Sequence, residues 1–463
     1  MSFITRRKPL ELAASEVSSH LKKTLGWPHL IALGVGAIIG TGIYTLTGVA
    51  AGLAGPAVIP SFLPAGVVCA GAALCYAEMA SLTPQAGSAY TFTYVTLGEA
   101  MAWIVGVSLI LEYTLVCSAV SVGWSGYASG LIREAGWGVP EAFLDKGIVD
   151  VPAIFIALAV TGLLLVGTRE SATVNFILVC VKLAALAAFV AFTLPHFDAA
   201  NLQPFAPFGF GAEEVDGKKF GVMGAAAIIF FAFYGFDAIS TAAEEAKNPK
   251  RDLTIGIVGS MALCTLIYMV IAACALGASS FEAFAASPEP LAFVLKQLGM
   301  PGAAAIIAGA AVVAMPTVIM VFMFGQSRVF FAMARDGLLP RRLASVNRRG
   351  VPATVTVMTG VLAAIVAGVA PLDDIASAAN AGTLAAFIAT AVAVMVLRRR
   401  APELPRPFRT PAVWIIAPLT ILGCLWFFSS LRTVTMLIFL GANVLGVVAY
   451  LLYGRTKSRL AAP

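Results

Sequence analysis

The 463-residue chain is 60% hydrophobic and only 12% charged, with a mean hydropathy of +0.92. Soluble domains carry about 25% charged residues, so this chain has too little charge to coat a globule of its size, which excludes a water-soluble enzyme. Its net charge of +6 sits in short clusters between apolar runs; without a continuous basic stripe, no nucleic-acid partner is expected.

A bilayer core about 30 Å thick takes roughly 20 apolar residues per helical crossing. Residues 1–27 are polar and form no secretory signal. Within them Leu10, Leu12, Val17 and Leu21 alternate with polar residues and predict an interfacial helix over 9–24. Apolar runs then predict twelve spans, near 28–53, 55–82, 98–131, 151–168, 171–194, 221–243, 253–278, 300–334, 352–369, 374–397, 411–431 and 433–453. The fold class is an all-α polytopic membrane protein with membrane lipid as its surroundings. Helices 1–5 (28–194) and helices 6–10 (221–397) form two halves separated by an outer loop at 195–220. A loop at 398–410, two accessory helices at 411–453 and a tail at 454–463 follow. Five is odd, so the second half enters the membrane from the opposite side and the repeat is inverted; it rests on topology, since the halves share no convincing identity.

Orientation follows from the basic residues in alternate loops. Twenty-two lie on the side of the N-terminus, including Arg6, Arg7, Lys8, Lys247, Arg341, Arg342 and Arg398–Arg400; six lie on the other side, among them Arg133, Lys146 and Lys296. Both termini are therefore expected in the cytoplasm, with the chain in the cell (inner) membrane. All seven cysteines fall in apolar stretches without C-x-x-C spacing and read as small buried hydrophobes. His20, His29 and His196 are too scattered for a metal site.

Two interruptions carry the chemistry. Gly34, Gly36, Gly40 and Gly42 fall within nine residues of the first span, where each costs roughly 1 kcal/mol against Ala in a helix interior. A break there exposes the backbone of Ile38, Ile39, Gly40, Thr41 and Gly42, and the N-terminus of the second half-helix favours an anion, here a carboxylate. Gly36 and Gly40 also suit close helix packing through a G-x-x-x-G face. In the sixth span Gly235 sits among aromatics and is followed by Asp237, an acid that is costly against lipid. Carbonyls freed at Phe231, Ala232 and Tyr234 would receive an ammonium. Breaks at corresponding positions of two halves point to a transporter site. Amides on one side and carbonyls on the other suit an α-amino acid.

Gly36-Ala-Ile-Ile-Gly-Thr-Gly42 resembles the first-helix motif of the amino acid–polyamine–organocation transporters. Further stretches resemble their cationic amino acid transporter subgroup: Tyr76-Ala-Glu-Met-Ala with Gly87-Ser-Ala-Tyr90, Leu111-Glu-Tyr113 with Trp124-Ser-Gly-Tyr127, Phe231 to Asp237 running on to Glu244-Glu245 and Asn248-Pro249, and Ala332-Met-Ala-Arg-Asp-Gly-Leu-Leu-Pro340. The resemblance covers roughly residues 20–400. It implies a five-plus-five inverted-repeat (LeuT-like) core with broken helices 1 and 6, and alternating-access transport of amino acids. Eukaryotic members have two further spans, so the chain is similar to the shorter bacterial form, whose members include carriers of neutral amino acids.

Lys182 lies deep in the fifth span, where an unpaired cation costs several kcal/mol. In the functional reading it alternates between protonated and neutral states and couples transport to protons. The resemblance implies the same, because proton-coupled members have a lysine where sodium-coupled folds bind a metal ion. The alternative is a permanently charged tie between the first span's carbonyls and the fifth and eighth helices. No cofactor or metal is expected, and sodium is not expected as coupling ion.

Glu112 in the third span either contacts the substrate amine or a bound water, or struts two helices. Glu78 reads as a gate or loop contact, Asp237 as a brace for the second half-helix, and Arg328 as snorkelling toward the interface. In the eighth span Ile319-Met-Val-Phe-Met-Phe324 offers bulk and no acid. Phe322 is the candidate wall of the specificity pocket, leaving room for a small or medium neutral side chain such as that of alanine. A lysine or arginine substrate, the alternative, would rely on Glu112. A transport-silent amino-acid receptor shares the same binding motifs, whereas a channel filter and a catalytic constellation are both missing. A small accessory membrane subunit is compatible with this fold but indicated by no motif.

Overall fold

The structure is a computed structural model that describes residues 6–9, 24–145, 147–215, 218–287, 289–347, 350–431 and 433–461. The interfacial helix expected at 9–24 lies almost wholly outside the described residues.

The first span divides into α1 (Trp27–Ile38), a π-turn (Gly42–Leu46) and α2 (Thr47–Ala54), and a turn at Gly55–Ala57 leads into α3 (Val58–Leu82). A short α4 (Ala89–Thr96) precedes the long α5 (Glu99–Glu134), then come α6 (Val151–Val166) and α7 (Thr168–Thr193). The sixth span consists of α8 (Val222–Ile229), a 3-10 turn (Phe230–Phe233) and a single turn, α9 (Ala238–Thr241). Next are α10 (Pro249–Ala278), two short helices α11 (Phe281–Ala286) and α12 (Pro290–Gln297), then α13 (Pro301–Ala314) and α14 (Pro316–Arg335). The series ends with α15 (Ala353–Val369), α16 (Leu372–Arg400), α17 (Val413–Ser429) and α18 (Thr433–Ala449).

Local chemistry sets several of these boundaries. Proline opens α10, α12, α13 and α14, where its missing N–H is no loss and its φ is already helical. Asp150 accepts the Ala153 amide at 2.9 Å and caps α6.

Among the described residues eight helical stretches are long and apolar enough to cross a membrane: Trp27–Leu82, Glu99–Glu134, Thr173–His196, Val222–Thr241, Pro249–Ala278, Pro301–Arg335, Asp374–Arg400 and Thr433–Lys457. Three apolar helices, α6, α15 and α17, are shorter. The chain is a predominantly helical, polytopic membrane protein. It is not wholly α: a two-stranded hairpin, β1 (Glu213–Val215) and β2 (Lys218–Phe220), pairs antiparallel in the loop before α8. One cysteine also departs from expectation. Six are buried, but Cys180 is exposed on the outer face of α7, an apolar setting that suits a thiol facing lipid.

Burial sorts the helices. The stretch Val222–Thr241 is 83% buried, whereas Thr433–Lys457 is only 22% buried. The sixth span is therefore the axis of the bundle and α18 lies at its edge. Aromatic rings enclose that axis: Phe230 stacks on Phe427 at 4.8 Å, and Phe236 lies 5.1 Å from Phe387, which also meets Tyr76 edge-on at 5.6 Å.

Candidate functional site

The two interruptions meet at the centre of the bundle. After Ile38 the backbone of Ile39 turns extended, and helix resumes only at the π-turn beginning with Gly42. In the sixth span Tyr234 is extended and Gly235 has φ +115°, a region that disfavours any Cβ. A Cβ on Gly42 would fall 2.6 Å from Cα of Ala232, and one on Gly235 would fall 2.3 Å from Cβ of Ala37. These two glycines let the breaks cross at backbone contact.

Broken helices free polar backbone groups, and each must find a partner. At the first span the carbonyls are taken. Lys182 Nζ donates to Gly36 O at 3.0 Å, to Ile39 O at 2.5 Å and to Thr317 Oγ1 at 2.6 Å. That uses all three protons of an ammonium and joins α7 to α1 and α14. Tyr268 of α10 directs its hydroxyl at Ile38 O (2.5 Å) and Ala232 O (3.0 Å), so one proton serves both breaks. The amides are not taken: among the described residues those of Gly40, Thr41 and Gly42 donate to no carbonyl or side chain. The Thr41 hydroxyl is buried and meets only Met315 Sδ, at 3.9 Å.

Of the three carbonyls expected to receive an ammonium, Ala232 O already accepts from Tyr268 and Phe231 O accepts the Tyr234 amide at 3.4 Å. Tyr234 O receives no hydrogen bond among the described residues.

A second polar group lies between α5, the sixth span and α16. Glu112 is 0% exposed, and among the described residues neither carboxylate oxygen has a well-formed hydrogen bond, the Thr383 hydroxyl being the near donor. Gly382 of α16 packs on its Cβ, and Thr383 and Asp237 are neighbours. Asp237 braces differently from expectation: it accepts the Tyr113 hydroxyl at 2.7 Å and the Gly235 amide at 3.3 Å, tying the break to α5. The Tyr234 hydroxyl donates to Asn380 Oδ1. Phe322 is fully buried, with the Tyr113 ring edge-on at 5.2 Å.

The structure thus brings Ile38, Ile39, Gly40, Thr41, Gly42, Phe231, Ala232, Tyr234 and Lys182 to one place, and sets Glu112 and Phe322 on either side of Tyr113. Sequence reasoning missed Tyr268, Thr317 and Asn380. A lone tyrosine in the apolar run Leu266-Ile-Tyr-Met-Val270 was the available signal, since a buried hydroxyl needs an acceptor.

Two charged residues sit elsewhere. Arg328 does not snorkel: it is 2% exposed, pairs with Glu245 at 3.0 Å and lies 3.7 Å from the Phe324 ring centroid. A guanidinium so paired is better placed inside than stretched to an interface. Glu78 is a loop contact, held by Arg398 at 2.8 Å, Arg406 at 3.1 Å and the Thr410 amide.

The amino acid permease family matches residues 25–450. Over 468 aligned residues the chain is 44% identical to the branched-chain amino acid permease BcaP of Bacillus subtilis (strain 168), with 99% of each chain covered. It is 39% identical to the methylthioribose transporter of the same organism, over 99% of this chain and 100% of that one. Identity to the vacuolar cationic amino acid transporter 2 of Arabidopsis thaliana is 38%, over 86% of this chain and 64% of the relative. Matched almost end to end and built around two crossing helix breaks, the chain belongs to the amino acid permease family of the amino acid–polyamine–organocation superfamily, and is a multi-pass membrane transporter of amino acids rather than an enzyme.

Proposed function

We propose that this protein is a secondary active carrier of neutral L-amino acids, alanine and the branched-chain residues first among them, driven by protons through alternating access. The observation that carries this reading is the pair of crossing breaks with the unused amides at Gly40, Thr41 and Gly42. They take the substrate carboxylate, while the carbonyls of Phe231, Ala232 and Tyr234 take its ammonium once Tyr268 turns its proton wholly to Ile38 O. Ile38 and Ile39 complete the first-span wall, and Phe322 bounds the side-chain space. The name of the permease at 44% identity supports a neutral, aliphatic side chain.

Lys182 supplies the coupling. As an ammonium it satisfies three acceptors; as an amine it has only two protons to give, so one of Gly36 O, Ile39 O and Thr317 Oγ1 loses its bond. Loss of the proton on the inner side therefore loosens α1 from α7 and α14, which opens that side.

We read twelve crossings, with five-plus-five inverted repeats at 28–194 and 221–397, accessory helices at 411–453, and both termini cytoplasmic in the cell (inner) membrane. The 56-residue stretch Trp27–Leu82 holds two crossings with a turn at Gly55. The short helices of 16, 17 and 17 residues reach roughly 25 Å at 1.5 Å per residue, close to the hydrocarbon thickness. The excess of basic residues on one side supports the orientation.

One observation favours a second reading. The Glu112 carboxylate suits the side-chain cation of lysine or arginine, and relatives named cationic amino acid transporters share 35–38% identity. Uptake into proteoliposomes separates the readings. Labelled leucine or alanine should accumulate under an inward proton gradient without sodium, and excess arginine should not compete. Sodium-dependent uptake indifferent to the pH gradient would refute proton coupling, and binding without counterflow would indicate a receptor.

A further inference from the structure

Glu99, the first residue of α5, is 0% exposed although it lies at one end of the bundle. Its carboxylate accepts three hydroxyls: Tyr94 of α4 at 3.0 Å, Tyr450 beyond α18 at 2.7 Å, and Ser458 farther along the tail. Its amide donates to Arg6 O at 2.8 Å. Asp336, which ends α14, is a second such anchor. Lys8 Nζ meets its carboxylate at 2.7 Å with both side chains buried, Tyr90 of α4 donates to it at 2.9 Å, and the Arg459 amide donates to its carbonyl at 3.0 Å. Segments from both ends of the chain are thus fastened to the same two acids, and α4 is bolted to each acid by one tyrosine. At its start α4 also meets the sixth span: Ser240 of α9 donates to Ser88 at 2.9 Å.

Chain ends usually fray unless tied down. This tail leaves a peripheral helix, α18, and runs under the bundle to elements that border the substrate path. A strap fastened across α4, α5 and α14 must either travel with all three or let go when they separate. We propose that residues 454–461 form a latch on the cytoplasmic mouth. Docked, the latch holds α4, and through Ser88 the α9 turn, against the end of α14. Undocked, it leaves α4 held to the two acids by Tyr90 and Tyr94 alone, a looser hold that lets α9 swing away from the path. The proposal rests on the cytoplasmic orientation given above.

A disulfide tests it. The Arg459 amide donates to the Asp336 carbonyl at 3.0 Å, so the two backbones are in contact. In the double variant Asp336→Cys, Arg459→Cys, oxidation should cut leucine counterflow roughly tenfold or more, within the range usual for coupled conformational equilibria, and reductant should restore it; each single variant should ignore the oxidant. In the milder variants Ser458→Ala and Glu99→Gln, amide hydrogen exchange in α4 and α9 should quicken roughly tenfold, with α10 and α16 unchanged. An oxidised double variant that turns over at its reduced rate overturns the latch, as does exchange that rises evenly in every helix. Orientation is read separately, by a membrane-impermeant thiol reagent on Arg459→Cys. Labelling from the outer face of sealed cells overturns the cytoplasmic placement, whereas labelling from the inner face with no disulfide arrest overturns the latch alone.

Discussion

Lys182 and Glu112 are both fully buried in the membrane interior, yet their surroundings are opposite. Every proton of the Lys182 ammonium has an acceptor within 3.0 Å, contributed by α1 and α14. Among the described residues neither oxygen of Glu112 has a well-formed hydrogen bond. Burying an ionic group costs heavily unless its partners are in place, so one region is complete in this conformation and the other is not. The polar needs of the lysine are met within the fold, whereas those of the glutamate are not. The roles proposed for the two residues, control of opening for Lys182 and recognition of substrate for Glu112, draw on this difference.

The largest effect is expected at the complete region. Lys182→Met keeps most of the volume and removes three hydrogen bonds; Gly36 O keeps the Thr317 hydroxyl as donor, while the buried Ile39 carbonyl loses its donor at about 1–3 kcal/mol. Proton-driven accumulation should fall by about 100-fold or more, which is about 2.7 kcal/mol. Counterflow without a gradient sharpens the comparison. If Lys182 titrates, counterflow survives the loss of accumulation; if it is a permanent tie, both disappear together.

The incomplete region should answer differently. Glu112→Leu removes an unpartnered carboxylate from an apolar setting and should leave the melting temperature of the substrate-free protein unchanged or raise it. The same variant should weaken leucine or alanine binding about tenfold, about 1.4 kcal/mol, as one lost charge-assisted hydrogen bond would. Thermal stabilisation by a ligand panel measures both. A marked fall in melting temperature without substrate would restore the role of a strut between α5 and α16.

How legible these regions were in the sequence follows from the kind of interaction each uses. Membrane crossings, the glycine-rich break and the depth of Lys182 are written in local composition, where period, length and charge suffice. Partners brought from a distance are not. Thr317 lies 135 residues from the lysine it accepts from, and Tyr268 lies 230 residues from Ile38. Arg328 was misread because no acid lies within seven residues of it in sequence, while Glu245 reaches it from 83 residues away. The anchoring roles of Glu99 and Asp336 have no local signature; only the return of the tail reveals them. The proposed repeat has no signature in residue identity, since crossing backbones need glycine at the point of contact and little else in common.

Tyr268 stands between the two extremes, because it touches both breaks through one proton. Tyr268→Phe leaves Ile38 O without its donor and offers Ala232 O to the substrate unopposed. The two consequences oppose each other in binding but not in closure. Leucine affinity should therefore change by less than about threefold while the maximal rate falls about fivefold, the scale of about 1 kcal/mol for one net hydrogen bond. A rise in half-saturation at constant rate would instead make Tyr268 a substrate contact.

Thr317→Val, equal in scale to Tyr268→Phe, discriminates most finely. Valine matches the shape but not the hydroxyl, so Lys182 keeps Gly36 O and Ile39 O and loses one acceptor of three. If the lysine holds the closed state through all three, the closed state weakens by about 1 kcal/mol and opening becomes about fivefold more frequent. Thr317→Ser, which restores the hydroxyl, should return the original rate. Because the hydroxyl accepts from the ammonium, its loss also makes the protonated lysine less favourable, so half-maximal accumulation should move toward lower pH in Val but not in Ser. An identical pH profile in all three proteins would show that Lys182 keeps its proton throughout the cycle, and the complete region would then be scaffold alone.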